Sequence, residues 1–145
     1  MKHMRELLDD PYEYEILIDR ESKFHALFKN EVDTKYLFIA DHDMIYDDDL
    51  ELGEGWIILF GIGESPDWLN TTIVNGGYQF RIFATVFKIL FKFLQDRNPN
   101  IFVFSAKEKS RQRLYKTFAK KIMTYGYNAE TKFIDNTLYF IFTRN

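Results

Sequence analysis

Apolar and polar residues alternate through much of the first forty positions. Tyr12, Tyr14, Ile16 and Ile18 are interleaved with Glu13, Glu15 and Asp19, the period of a half-exposed strand. Phe24, Ala26 and Phe28 repeat that spacing, as do Tyr36, Phe38 and Ala40. The polar breaks at 19–22 and 30–34 read as turns, so the three segments are expected as antiparallel neighbours in a meander. Residues 41–55, rich in acids and carrying Gly53 and Gly55, read as an acidic loop. Trp56 to Ile62 is a continuous apolar run, short enough for a central strand. Ser65-Pro66-Asp67 breaks the chain, and a short extension at Thr71–Val74 leads to Gly76-Gly77.

From Tyr78 to Gln95 the period changes. Phe80, Phe83, Ala84, Phe87, Leu90, Phe91 and Leu94 follow one helical face, and Ile82, Val86, Ile89 and Phe93 form a second apolar stripe. Only Arg81, Thr85, Lys88, Lys92 and Gln95 remain as a narrow polar stripe. A helix this apolar is buried on more than one side, inside the domain or in a subunit interface. Arg97-Asn98-Pro99-Asn100 ends it. Ile101 to Phe104 reads as a buried strand, of the kind that pairs in parallel with helices on both faces. A second helix opens at Ser105 or Lys107, with Leu114, Tyr115, Phe118, Ala119 and Ile122 inward and Gly126 as its stop. Phe133 and Thr137 to Phe142 supply one or two closing strands. The order predicts an α+β fold, α/β-like in its second half.

The 145 residues include fifteen Phe, nine Tyr and two Trp, enough to fill one core, and no linker or repeat divides them. Cysteine is absent, which excludes disulfides and thiolate metal sites. The N-terminus has no apolar run of a signal peptide, and Phe80 to Leu94 is too short and too charged to cross a bilayer. A cytoplasmic location is expected. The net charge of −3 hides a segregation: residues 1–75 hold six Lys/Arg against eighteen Asp/Glu, residues 76–145 thirteen against four. Such a split either pairs internally or offers partners two faces of opposite sign.

Across residues 70–127 the chain resembles the GNAT N-acetyltransferase core. The runs Arg81-Ile82-Phe83-Ala84-Thr85-Val86, Phe102-Val103-Phe104-Ser105-Ala106-Lys107 and Ser110-Arg111-Gln112-Arg113-Leu114-Tyr115 are similar to mostly uncharacterised, often phage-encoded proteins with a GNAT-like core. The resemblance implies a single GNAT-like domain over 1–145: an N-terminal antiparallel meander running into a mixed central sheet with two main helices packed on it. It also implies a mechanism. In that family a Gln/Arg-x-x-Gly-x-Gly/Ala loop at a helix N-terminus holds the acetyl-CoA pyrophosphate on backbone N–H groups. Here Gly76, Gly77, Gln79 and Arg81 occupy that stretch. Read from Gln79 the motif needs glycine at Ile82, and read from Arg81 it needs glycine at Ala84. The turn is filled by bulky residues. The family's second element contributes a tyrosine that protonates the departing thiolate, and Leu114-Tyr115 matches it. Glu108 and Arg111 stand where the family has Asn and Ala.

Two charged patches complete the inventory. Asp41, His42, Asp43, Asp47, Asp48, Asp49, Glu51 and Glu54 match no calcium-binding loop, so no metal site is assigned; the cluster reads as a solvated loop or, if functional, as an acidic contact for a basic partner. Arg113, Lys116 and Lys120 share a helix face within the basic stretch 107–121, suited to phosphates. His25 reads as structural and Ser105 as a helix cap. Three functions stay open. One is a non-catalytic GNAT-like protein acting through protein contacts, as monomer or homodimer and without cofactor, in phage–host conflict for instance. Another is a divergent acetyl-CoA-dependent N-acetyltransferase with Tyr115 as acid. The last is a nucleic-acid-binding module using the basic helix.

Overall fold

A computed structural model of the chain describes residues 10–47, 50–63, 65, 79–106 and 109–145. Seven strands and two helices follow in order: β1 (Tyr14–Arg20), β2 (Lys23–Lys29), β3 (Lys35–Asp47), β4 (Leu50–Ile62), α1 (Gln79–Arg97), β5 (Ile101–Ala106), α2 (Lys109–Met123), β6 (Tyr127–Ile134) and β7 (Thr137–Arg144). The strands form one mixed sheet in the order β1-β2-β3-β4-β5-β7-β6, which makes the fold α+β. Packing divides the chain into two compact units, Met1–Ala40 with Phe60–Asn98 and Asp41–Leu59 with Pro99–Asn145; β3 and β4 contribute to both.

In the first unit β1 and β2 form an antiparallel hairpin whose register slips between Ile16 and Ile18, leaving Ile16 and Leu17 exposed. Asn30 builds the turn after β2. Its side-chain oxygen accepts the N–H groups of Val32 and Thr34 at 3.0 and 2.9 Å, while Asp33 takes a positive φ of 61°. The alternating aromatics of the meander then meet in a ladder. Tyr12, Phe28, Tyr36 and Phe60 stack with centroids 5.2–6.2 Å apart and ring planes within 18°. Phe93 of α1 meets Phe24 and Phe38, so α1 buries the stripe that its spacing predicted. The helix stops where Asn98 turns to φ 49° ahead of Pro99, and Arg97 reaches back from its last turn to Asp19 at 2.6 Å.

In the second unit β5 lies between a parallel and an antiparallel neighbour. Trp56, Ile57 and Ile58 of β4 stand opposite Phe102, Val103 and Phe104; β7 pairs with β5 from Ile101↔Thr143 to Ala106↔Leu138. Successive side chains point to opposite faces. Phe102, Phe104, Phe140 and Phe142 therefore share one face, and Tyr115 and Phe118 of α2 pack with them. The other face is more open: Val103 and Ser105 are only half-buried, so within this unit β5 is covered fully on one side, not on both as its apolar run suggests. Asp135 and Asn136, at φ 51° and 64°, make the two-residue turn between β6 and β7.

Two expectations are corrected. Residues 41–47 and 50–55 are strand, not an acidic loop. The acids Asp43, Glu51 and Glu54 sit on exposed strand positions, while Ile45 and Gly55 are buried. Gly55 is required by close approach and not by a turn, since a Cβ there would lie 2.4 Å from the Ile101 carbonyl oxygen. Ser105 caps no helix: it lies within β5 opposite Tyr139, because pairing with β7 carries the strand on to Ala106. We expect Gly55→Ala to destabilise the protein by about 1–3 kcal/mol through overpacking, seen as a lower urea midpoint.

Candidate functional site

Arg81, one of the candidate anion-binding residues, sits in the first turn of α1 and is already engaged. Its Nη1 donates to Glu31 Oε1 at 2.9 Å, and its Nε donates to the Asp10 carbonyl oxygen at 3.1 Å with the Asp10 carboxylate 3.6 Å away. The guanidinium lies 4.1 Å from the centre of the Tyr12 ring. The Tyr12 hydroxyl donates to the other Glu31 oxygen, so one carboxylate is shared by a phenol and a guanidinium. Tyr12 is held from behind as well. Its backbone N–H donates to Thr85 Oγ1 at 2.8 Å, and the Thr85 hydroxyl donates to the Arg81 carbonyl, also at 2.8 Å. Thr85 thus leaves the solvent-facing stripe that its position suggests and is wholly buried.

These contacts set the ionisation of the group. Burial, then the hydrogen bond and charge of Glu31, push the Tyr12 phenol far above its ordinary value of 10. Desolvation pushes Glu31 up, but hydrogen bonds from Tyr12, its own backbone and Arg81, together with the Arg81 charge, carry it below the ordinary 4.5. A phenol held protonated beside a carboxylate held ionised exchanges no proton near neutrality. The arrangement clasps the chain ahead of β1 onto α1. Sequence reasoning missed Tyr12 and Glu31 as partners of Arg81 because separations of 69 and 50 positions carry no local signal. Gln79 opens α1, with only its backbone described; Gly76 and Gly77 lie outside the described residues.

Tyr115, the candidate acid, faces inward from α2. It is 6% exposed, with its ring 5.6 Å from Phe104, 6.0 Å from Phe118 and 6.1 Å from Phe140. Arg113, Lys116 and Lys120 are exposed on the same helix. Asp47 ends β3, and Asp48 and Asp49 lie outside the described residues.

Exposed apolar side chains collect in the second unit along β3 and β4. Tyr46 and Leu50 are 59% and 64% exposed, and Ile57 and Leu59 each 37%. His42, Asp43, Glu51 and Glu54 are exposed on the same two strands, and His42 rests edge-on against Trp56. A cleft of about 190 Å³ opens here, bounded by Met44, Tyr46, Ile57 and Val103 and bearing the hydroxyls of Ser105 and Tyr139. Sequence reasoning found the acids of this region and the apolar run 56–62, but the loop reading of 41–55 left no strand on which Tyr46 could line a cleft with Ile57. Among the described residues no group of three or more His, Asp and Glu side chains is placed to hold a metal ion, and no helix is long and apolar enough to cross a membrane. Comparison with protein-family models, curated proteins and solved structures returns no match for this chain.

The clasp has a pH signature. Because the Glu31 pKa is lowered on folding, its contribution to stability is present above the ordinary value of 4.5 and is lost as pH falls through the folded value. Tyr12 acts in the opposite sense: with its pKa raised, its contribution is present below about pH 10 and is lost on further alkalinisation. Urea midpoints measured from pH 3 to pH 7 are expected to rise less steeply for Glu31→Gln than for the unaltered protein.

Proposed function

We propose that this protein is a non-catalytic binding domain on a GNAT-like scaffold, acting through contact with another protein. The observation that carries this reading is the position of Tyr115. A general acid must reach the leaving group directly or through one water. The Tyr115 ring is packed against Phe104, Phe118 and Phe140 and the residue is only 6% exposed, which supports a place in the core over one in an open site. The engagement of Arg81 by Glu31 and Asp10 supports the same reading, because an incoming pyrophosphate would have to displace both. The bulky residues that replace the loop glycines, Ile82 among them, add to it.

The contact surface in this proposal is the β3–β4 region of the second unit. Aromatic and aliphatic side chains exposed together mark a protein contact more often than isolated ones do. Tyr46, Leu50, Ile57 and Leu59 provide the apolar part, and Asp43, Glu51 and Glu54 select a partner whose rim is basic. The resemblance of residues 70–127 to phage-encoded GNAT-like proteins supports a role in phage–host conflict, with a host protein as partner.

Calorimetric titration tests the non-catalytic half of the proposal. Acetyl-CoA and CoA, raised to about 1 mM, are expected to give no saturable heat. Saturable binding in the low micromolar range that Gly77→Trp abolishes would overturn it. The contact surface is tested separately, by cross-linking in host lysate with the unaltered protein and with Tyr46→Arg plus Leu50→Arg. The paired substitution is expected to remove the specific adduct; an unchanged adduct would place the contact elsewhere.

A further inference from the structure

The sheet ends on two unlike edges. β1 is blunted by its register slip and carries Glu15 near its start, with Glu13 just ahead of it, charges that discourage a second strand from adding to it. β6 is regular, paired residue for residue with β7 from Tyr127↔Arg144 to Ile134↔Thr137. It stands last in the sheet order, and Phe133 and Ile134 are 62% and 45% exposed. An exposed regular edge is a template for another strand.

We propose that the β6 edge is a homodimer interface, where β6 of a second copy adds antiparallel and centred on Thr131. The strand is complementary to itself in this register and no other nearby one. Centred on Thr131, Glu130 stands opposite Lys132 of the second copy, and by symmetry Lys132 opposite Glu130, giving two cross-strand charge pairs on one face. Ala129 stands opposite Phe133 on the other face, so a small side chain leaves room for the large exposed ring. Thr131 faces Thr131 at the centre, a favourable cross-strand pair. Centring on Glu130 or on Lys132 instead sets like charges against each other. A lysine on an edge usually guards against pairing; beside Glu130 it becomes the charge that selects a second copy. This interface is independent of the β3–β4 contact surface.

Sedimentation velocity over a concentration series tests the interface. The unaltered protein is expected to dimerise. Glu130→Lys and Lys132→Glu each place two like-charge pairs in the interface, and each is expected to raise the dimer dissociation constant by roughly tenfold or more. The double exchange Glu130→Lys plus Lys132→Glu restores opposite charges and is expected to restore the dimer. Circular dichroism confirms that all three variants are folded. Thr131→Cys, in a chain that has no cysteine, is expected to form a covalent dimer on mild oxidation, because directly opposed strand residues fall within disulfide reach. Leu17→Cys on β1 is expected not to. A monomer persisting to about 100 μM overturns the proposal. So does a dimer that is indifferent to the single charge reversals, or a double exchange that stays monomeric.

Discussion

The close contact of phenylalanines on one face of β5 and β7 is the constraint on which the second unit depends. Phe102, Phe140 and Phe142 are wholly buried and Phe104 nearly so. Burial of rings this large is worth several kcal/mol in total, well above any single polar contact nearby. Once these four rings share a face, α2 must cover them with its own aromatics, and Tyr115 and Phe118 are drawn into the layer. On β4, residue 55 has no space for a side chain, because Ile101 of β5 and Ile45 of β3 already fill it. Core packing thus sets the surroundings of the residue with the most suggestive chemistry: the Tyr115 ring lies within this aromatic layer.

The first unit is organised around a different contact. A stack of four rings ends on Tyr12, and Tyr12 is fixed by Glu31, Arg81 and Thr85 at once. Each exposed ion pair here contributes little by itself. The shared carboxylate and the buried Thr85 hydroxyl nevertheless satisfy polar groups that would otherwise be costly to cover. Arg81 thereby helps to hold this unit together, and its charge is opposed by the carboxylates of Glu31 and Asp10.

Asp41, Asp43, Asp47, Glu51 and Glu54 belong to the same two strands as exposed Tyr46, Leu50, Ile57 and Leu59. A rigid strand surface holds apolar and charged groups in fixed relation, which a loop does not. Specific recognition by contact requires that relation.

Element types were largely legible in the sequence because they follow from local period. The alternation around Phe24–Phe28 and Tyr36–Ala40, the helical stripes of Phe80–Leu94 and the stops at Asn98 and Gly126 depend on neighbours a few positions apart. Residues 41–55 were misread because their acids and glycines imitate a loop locally; only pairing across the sheet shows that the acids occupy exposed strand positions and that Gly55 makes way for Ile101. The surroundings of the candidate residues Arg81 and Tyr115 were likewise not legible in the sequence. What an ionisable side chain does is set by the groups packed against it, and Glu31, Asp10, Phe104 and Phe140 come to them from distant parts of the chain. Local pattern therefore determined where helices and strands form, whereas only the tertiary structure decided which polar groups are spent on holding the fold and which are left facing outward.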